Sequence, residues 1–328
     1  MQVLFRFTKE FVMKITVLDA ATLGDDLSLS PLDAVGEVTV YKSTSPDEVE
    51  ARICDSDVVI INKIKLGESN LSKAKNLKLI CVAATGYDNI DVAYCASHGI
   101  GVANVVGYST HSVAQVTLSM ALSLYTHLTE YNNSVKSGEY TNGGVANRLV
   151  PIYHEICGKT WGVVGLGNIG KQVARVASAM GCNVLAYKRT PDKEYNCVTL
   201  QELCEKSDII SVHLPLSDST REIISSSAIE LMKPSAVLIN VARGAVIDER
   251  AVADAISSGK IGAFGSDVYS FEPMSSSHPF NAIKDQDNVI LTPHMAWGSY
   301  ESRVRCLDEI VENIKAFQRG IERNRLDV

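Results

Sequence analysis

The chain has 328 residues, of which 46% are hydrophobic and 21% charged, and it carries a net charge of −7. This length exceeds the size at which one hydrophobic core usually stops growing, so we expect two domains. The acidic balance and the lack of a basic cluster argue against nucleic acid as a partner, and no apolar stretch approaches the roughly 20 residues of a membrane span.

The N-terminal stretch MQVLFRFTKEFVMKITVLDA is apolar and basic, but charged residues interrupt it and no small-residue cleavage site follows. This pattern is not typical of a secretion signal, so we expect an extension before the first strand, with Met13 as an alternative start. The eight cysteines show no CxxC pair and no zinc-site spacing. We therefore expect free thiols, no metal site and a cytoplasmic location.

Short apolar runs alternate with helix-like stretches in the first third of the chain. The runs lie at 14–20, 37–42, 58–63, 77–84 and 100–105. Helix-like stretches such as 45–56 lie between them. Strands that alternate with helices predict a parallel sheet.

A long stretch rich in Ala, Leu and Val follows at 109–138, and its period predicts one helix that begins at Ser109 or Thr110. A helix this apolar is expected to be buried on several sides, within the chain or against a second subunit. This favours a homodimer.

A second alternating series of strands begins at Lys159 and ends near residue 294, and an amphipathic helix at 299–322 has no strand after it. We expect this helix to pack on the first series. The prediction is two doubly wound parallel-sheet α/β domains, Rossmann-like and flavodoxin-like, with a cleft between them. The first domain would comprise 1–106 plus 295–328, and the second 107–294.

Three glycines, Gly165, Gly167 and Gly170, form the sequence GLGNIG between the apolar run WGVV and a helix-like stretch. The first glycine would permit a tight turn, the second a close approach of backbone to a pyrophosphate, and the third close packing of helix on strand. The helix N-terminus would add N–H groups and a positive dipole. A glycine-rich turn that merely packs a crossover is the alternative.

The end of the second strand of this series determines the choice of cofactor. An NAD site normally places Asp or Glu there, whereas this chain has Lys188, Arg189 and Thr190. Two cations and no acid favour NADP(H). The alternative is that both are solvated loop charges and that NAD binds without the acid.

Three polar residues each follow a separate apolar run of this second series, namely Arg243, Glu272 and His294. If these runs are neighbouring parallel strands, the side chains meet at the carboxyl edge of one sheet, where open α/β sheets bind ligands. A guanidinium binds a carboxylate through two hydrogen bonds, and a histidine exchanges protons near neutral pH. Each residue taken singly has a structural alternative: a surface ion pair for Arg243, a turn residue for Glu272 and a helix cap for His294.

These motifs together resemble the D-isomer-specific 2-hydroxyacid dehydrogenases, from about Lys14 to the end of the chain. The matching segments are AATGYDNIDV, GYSTHSVAQ, GLGNIG, SVHLPLSDST, NVARGAVIDE, GSDVYSFEP and TPHMAW. Within that family, GYSTHSVAQ and VVIINK are most similar to the glycerate dehydrogenase (hydroxypyruvate reductase) group. The resemblance implies hydride transfer between NAD(P)H and a small 2-keto acid, giving a D-2-hydroxy acid.

By this resemblance, Arg243 binds the substrate carboxylate and polarises the C2 carbonyl, His294 is the acid–base, and Glu272 supports it. The substrate carboxylate would also be held by backbone N–H groups of Ala84, Thr85 and Gly86, although a turn before a helix would equally explain Gly86.

The resemblance also implies a set of cofactor contacts. Asn168 and Ile169 would lie at the pyrophosphate, and Leu214, Pro215 and Thr220 near the ribose or adenine. Val241 and Ala242 would flank the nicotinamide, with Asp267 holding its carboxamide. A structural cap at the end of a strand is the competing role for Asp267. His98, His111, His127, His154 and His278 are expected to lack catalytic partners and to be structural.

Two departures from the family concern the substrate side. The loop that usually reads Asn-Lys-Thr-Pro is Asn62-Lys63-Ile64-Lys65 here, and the stretch 139–157 does not align. A larger keto acid or phosphoglycerate is therefore an alternative substrate. Formate oxidation is disfavoured, since relatives with that activity have Gln in place of Glu272. An NAD(H)-sensing, corepressor-like binding protein is the alternative from another class, and turnover distinguishes it.

Overall fold

The computed structural model describes residues 12–190 and 192–328, which form two compact units. The first unit runs to Ser109 and resumes at Gly298–Val328, and the second is Thr110–Trp297. Both boundaries lie three residues beyond the expected ones. The expected N-terminal extension falls mostly on residues 1–11, which are outside the described residues.

The first unit contains a five-stranded parallel sheet. Its strands are β1 (Lys14–Val17), β2 (Glu37–Val40), β3 (Val58–Ile61), β4 (Leu79–Val82) and β5 (Gly101–Ala103), in the order β2-β1-β3-β4-β5. This is the flavodoxin-like order. The helices between them are α1 (Val49–Ile53), α2 (Glu68–Leu71) and α3 (Val92–Ser97), with 3₁₀ turns at Ala20–Leu23 and Ser30–Ala34. Every residue of β3 and β4 is buried, as expected for central strands covered on both faces.

The second unit opens with three helices, α4 (Thr110–Tyr125), α5 (Leu128–Lys136) and α6 (Glu139–Asn142). The single helix predicted over 109–138 is therefore wrong. His127 adopts a left-handed backbone with φ of +53°, which ends the first helical segment. The apolar period stops there too, because α4 buries a continuous face whereas only Ser134 is buried in α5.

A seven-stranded parallel sheet forms the centre of the second unit. Its strands are β6 (Thr160–Val164), β7 (Asn183–Tyr187), β8 (Asn196–Cys197), β9 (Ile209–Val212), β10 (Val237–Asn240), β11 (Ala263–Ser266) and β12 (Val289–Leu291). The order is β12-β11-β10-β9-β6-β7-β8, which is the Rossmann order with one further strand at the edge. The edge strand β8 was not predicted, since its two residues carry no alternating pattern.

Crossover helices cover both faces of this sheet, namely α7 (Asn168–Ala179), α8 (Leu200–Lys206), α9 (Ser226–Glu230) and α10 (Glu249–Ser257), with 3₁₀ turns at Gly244–Val246 and Pro279–Ala282. Successive strand residues point to opposite faces. Thus Leu238 belongs to the apolar cluster on one side and Ile239 to the cluster on the other, and both are fully buried. Each such side chain contributes about 1.5–3 kcal/mol through burial. This explains why the strands read as unbroken apolar runs.

The final helix, α11 (Tyr300–Gln318), belongs to the first unit. Its side chains bind that unit's backbone, since Asn313 Nδ2 donates to the Asn104 carbonyl (3.0 Å) and Gln318 Nε2 to that of Val35 (2.8 Å). The chain after α11 then pairs antiparallel beside β5. No helix in the described part of the chain is long and apolar enough to cross a bilayer.

Candidate active site

The three strands that precede Arg243, Glu272 and His294 are adjacent and parallel in the second sheet, in the order β12-β11-β10. Arg243 comes three residues after β10, Glu272 six after β11, and His294 three after β12. All three therefore follow strands at the carboxyl edge of one sheet, the arrangement that the sequence predicted.

His294 and Glu272 form a hydrogen-bonded pair, in which the imidazole Nδ1 lies 2.6 Å from the carboxylate Oε2. The second carboxylate oxygen accepts the Tyr269 backbone N–H at 3.1 Å, which orients the carboxylate. The two side chains remain 22% and 29% exposed. With Nδ1–H donated to the carboxylate, Nε2 is the ring nitrogen that the predicted proton exchange would use.

Arg243 is held by the turn that follows β10. The fully buried Asn240 side chain donates to the Arg243 carbonyl (2.9 Å) and accepts from the Ala242 N–H (3.1 Å), so one amide fixes both residues. The guanidinium Nη1 donates to the Ala242 carbonyl at 2.8 Å. In this turn Val241 and Ala242, predicted to flank a nicotinamide, are buried.

Asp267 follows β11 directly and is 1% exposed. Its carboxylate accepts three hydrogen bonds from the loop after β12: from Thr292 Oγ1 (2.6 Å), Met295 N (2.8 Å) and Ala296 N (2.9 Å). Burial raises the pKa of Asp267, and these hydrogen bonds oppose that rise. The contacts are those of the strand-end cap, and they fix the loop that carries His294. The carboxamide contact stays a prediction.

A second His–Glu pair supports the loop of Glu272. His278 Nε2 lies 3.0 Å from Glu249 Oε2, and Glu249 Oε1 accepts the Ser270 backbone N–H at 2.8 Å. The His278 ring packs edge-on against Tyr269. The expectation that His278 has no such partner is therefore wrong, because the carboxylate comes from α10, 29 residues earlier in the chain.

The glycine-rich turn between β6 and α7 has the shape that a dinucleotide requires. Gly165 has φ of +99°, a left-handed conformation that favours glycine. A Cβ on Gly170 would collide with the Gly165 carbonyl oxygen, whereas a Cβ on Gly167 would meet nothing within 4 Å. Gly167 thus opens onto space at the N-terminus of α7, beside Asn168 and Ile169. The turn fits a pyrophosphate held against backbone N–H groups.

His213 lies beside this turn, at the end of β9. Its Nε2 lies 2.9 Å from Ser211 Oγ, and its Nδ1 is buried without a hydrogen-bond partner among the described residues. Burial lowers the pKa of His213 to about 3, so the ring is neutral. A neutral ring beside Gly165 is compatible with a phosphate-bearing ligand but is not an additional cation for it.

The other predicted cofactor residues also follow strands of the second sheet. Lys188, Arg189 and Thr190 come after β7, and Leu214 and Pro215 come after β9. Thr220 closes the turn after β9, because its hydroxyl donates to the Pro215 carbonyl (2.6 Å) and accepts from the Ser217 N–H (2.8 Å). That contact gives Thr220 a structural role that the sequence did not reveal.

The predicted carboxylate-binding residues Ala84, Thr85 and Gly86 follow β4, at the carboxyl edge of the first sheet. The Thr85 hydroxyl donates to the Val105 carbonyl at 2.8 Å and holds this segment to the chain after β5. The neighbouring loop after β3 is fixed by Asp19. This buried carboxylate accepts the backbone N–H groups of Asn62 (2.9 Å) and Lys63 (2.6 Å).

Residues 118–296 match the family model described as "D-isomer specific 2-hydroxyacid dehydrogenase, NAD binding domain". A hydroxypyruvate reductase from Blautia hydrogenotrophica is 37% identical over 318 residues, covering 94% of this chain and 98% of that protein. The chain belongs to this family. It is an NAD(P)-dependent D-2-hydroxyacid dehydrogenase with two parallel-sheet α/β domains.

Two solved structures of similar proteins carry different cofactors. The D-lactate dehydrogenase from Aquifex aeolicus, complexed with NAD and lactic acid, is 30% identical with a TM-score of 0.83, covering 94% of this chain and 96% of that one. An NADPH-dependent glyoxylate/hydroxypyruvate reductase from Sinorhizobium meliloti, in complex with NADP and malonate, is 27% identical with a TM-score of 0.82, covering 96% of both chains. Family membership therefore leaves the dehydrogenase with NAD or NADP.

Sequence reasoning missed four side chains that fix the loops of this dehydrogenase, namely Asp19, Asn240, Glu249 and His278. Three of them gave a signal, because Asp19 and Asn240 lie at the ends of apolar runs and Glu249 lies within the quoted segment NVARGAVIDE. His278 gave none, since its partner is set by packing.

Proposed function

We propose that this dehydrogenase reduces small 2-keto acids, above all hydroxypyruvate and glyoxylate, to the D-2-hydroxy acids. The observation that carries the proposal is the His294–Glu272 pair, in which Nδ1 and Oε2 are 2.6 Å apart. Both residues follow strands that end at the same sheet edge as the strand before Arg243. The 37% identical hydroxypyruvate reductase from Blautia hydrogenotrophica supports the choice of keto acid.

In the proposed reaction, the Arg243 guanidinium binds the substrate carboxylate and polarises the C2 carbonyl, which a planar cation with several donors does better than an ammonium group. The nicotinamide, when bound, supplies the hydride that reduces C2. Negative charge then develops on the carbonyl oxygen, and His294 donates the proton from Nε2 to that oxygen. Glu272 holds the ring through Nδ1 and stabilises the protonated imidazole before transfer. In the oxidative direction, His294 takes the same proton back.

The residues that would hold the dinucleotide come from the ends of five strands of the second sheet, namely β6, β7, β9, β10 and β11. The open face of Gly167 and the first turn of α7 suit the pyrophosphate, and the turn at Val241 and Ala242 suits the nicotinamide. For the first domain, the proposal keeps Ala84, Thr85 and Gly86 as backbone donors to the substrate carboxylate.

We propose NADP(H) as the preferred cofactor, because Lys188 and Arg189 follow β7 where an acid would repel a 2′-phosphate. Arg189 is exposed, and Lys188 is half-buried. NAD(H) use would remain measurable, since the two cofactors differ only at the ribose 2′ position.

The test is the consumption of NADPH and NADH, side by side, with hydroxypyruvate, glyoxylate, pyruvate and branched 2-keto acids. We expect the highest kcat/KM with hydroxypyruvate or glyoxylate, and a D-configured product on chiral separation. Faster turnover of a branched keto acid would overturn the substrate assignment. Tight cofactor binding without turnover of any of these acids would indicate the sensor instead.

We also propose a homodimer, in which the segment 128–153 contacts a second copy of the chain. This segment exposes several large apolar side chains that an isolated chain would leave in water, namely Leu128, Val135, Leu149, Val150, Ile152 and Tyr153. Light scattering should give twice the chain mass. A monomer at micromolar concentration would overturn the proposal.

The family and the eight free thiols support a cytoplasmic location.

A further inference from the structure

A carboxylate that the sequence motif did not include lies where the chain leaves β7. Asp192 Oδ2 is 2.7 Å from Lys171 Nζ and 3.8 Å from Lys188 Nζ. Its other oxygen accepts the Glu194 N–H at 3.1 Å, and its own N–H is 3.2 Å from Cys197 Sγ in β8. The side chain is 11% exposed, so these contacts fix it rather than leave it in solvent.

Asp192 lies near the residues predicted to bind the adenosine half of the dinucleotide. Lys171 lies in the first turn of α7, where the pyrophosphate is expected, and Lys188 follows the last residue of β7, where the residue that reads the ribose 2′ position normally lies. Asp192 forms ion pairs with the lysines at both of these positions.

The charged residues around this point include the cations Lys171, Lys188 and Arg189 and the carboxylates of Asp192 and Glu194, and it is Asp192 that forms ion pairs with both lysines. The hydrogen bond from Lys171 lowers the pKa of Asp192, so the carboxylate is ionised at neutral pH. It therefore neutralises one of the cations that would otherwise attract a 2′-phosphate, and it competes directly for the ammonium group of Lys171.

We propose that Asp192 is a specificity-determining residue that limits the affinity of this dehydrogenase for NADP(H). The inference rests on the proposed cofactor site, and it extends that proposal by naming the residue that keeps NAD(H) competitive. A 2′-phosphate must share Lys171 and Lys188 with a resident anion, whereas the 2′-hydroxyl of NAD(H) meets no such competition. Removing the anion should strengthen binding of the phosphate and leave the hydroxyl nearly unaffected.

The test uses Asp192→Asn, a nearly isosteric change that keeps an oxygen for the Glu194 N–H. Calorimetry with adenosine 2′,5′-bisphosphate and with 5′-AMP compares ligands that differ only in the 2′-phosphate. We expect the bisphosphate to bind about tenfold more tightly to the variant, because the variant lacks one negative charge that repels the doubly charged 2′-phosphate. The Kd for 5′-AMP should change by less than about twofold, and the NADPH-to-NADH ratio of kcat/KM should rise in parallel.

Two further variants separate charge from other effects. Glu202→Gln removes the same charge from an exposed pair with Lys206 in the same unit, so its bisphosphate affinity should equal that of the parent. The double variant Asp192→Asn/Lys171→Gln restores the original local charge and should lose the gain.

Some outcomes would overturn the proposal. Unchanged or weaker bisphosphate binding in Asp192→Asn would mean that the carboxylate positions the lysines rather than competing for them. If the variant bound only 5′-AMP more weakly, the Asp192 carboxylate would bind the ribose hydroxyl instead. Because these measurements need no keto acid, a wrong substrate assignment would leave them intact.

Discussion

The second unit contains two imidazole–carboxylate pairs of similar geometry and different surroundings. His294 and Glu272 are 2.6 Å apart with side chains 22% and 29% exposed, whereas His278 and Glu249 are 3.0 Å apart with side chains 5% and 10% exposed. The buried ring also uses its other nitrogen, since His278 Nδ1 accepts the Phe280 N–H at 3.2 Å. Both of its nitrogens are thereby committed to the fold.

The comparison shows that a short His–Glu contact does not by itself identify an acid–base pair. The buried pair is a fixed part of the framework, because Glu249 also binds the Ser270 N–H and the His278 ring packs against Tyr269. Tyr269 in turn donates its N–H to Glu272. The structural pair therefore supports the backbone that orients the proposed catalytic pair.

The largest expected effect follows from removing the accessible ring. His294→Ala should lower kcat by about 10³-fold, within the usual contribution of a general acid–base, while NAD(P)H binding stays within about twofold. Steady-state kinetics and a fluorescence titration of the cofactor would measure the two effects. Turnover close to the parent's would refute the acid–base role of His294.

The second-largest effect is expected from replacing the carboxylate of the more exposed pair. Glu272→Gln should lower kcat by about 10–100-fold, because a neutral amide no longer stabilises the protonated imidazole. Its free energy of unfolding in denaturant should stay within about 0.5 kcal/mol of the parent's, as the side chain is partly hydrated. A large loss of stability with normal kcat would assign Glu272 to the framework instead.

The smallest effect on turnover, and the clearest on stability, is expected from Glu249→Gln. The carboxylate accepts two donors, from Ser270 N and His278 Nε2, and an amide oxygen and NH₂ group cannot both accept. Either the N–H of the exposed Ser270 or the Nε2–H of the buried His278 loses its partner, and loss of the buried contact costs about 1–3 kcal/mol in the free energy of unfolding. The fall in kcat should be less than about tenfold.

Denaturant unfolding and kinetics on the same preparation would check this third prediction. Glu202→Gln is the matched control, since it makes the same replacement in an exposed pair and should cost less than about 1 kcal/mol. If Glu249→Gln abolished turnover without loss of stability, the two pairs would share the chemistry and the comparison would fail.

The amino-acid sequence alone determined the fold class, the positions of most strands along the chain and the placement of Arg243, Glu272 and His294 after three separate strands. That these strands are neighbours was a condition at the level of sequence, and the sheet order meets it. These features follow from local patterns, because apolar runs, glycine turns and helical periods reflect the conformation of nearby residues. The family resemblance rested on the same contiguous segments. The two-residue strand β8 escaped because it is too short to create such a pattern. The break at His127 escaped for another reason: the apolar period does stop there, but both sides are helical, so the change marks a second helix and not a loop.

Only the tertiary structure decided which side chains meet. Asp19 binds the loop at Asn62, 43 residues away, and Asp267 binds the backbone near His294, nearly 30 residues away. Glu249 and His278 are equally distant in sequence. Even Asp192, four residues from Lys188, makes its shorter contact with Lys171 on another element. Such pairs depend on how strands and helices pack, and packing brings together residues whose spacing along the chain carries no signal.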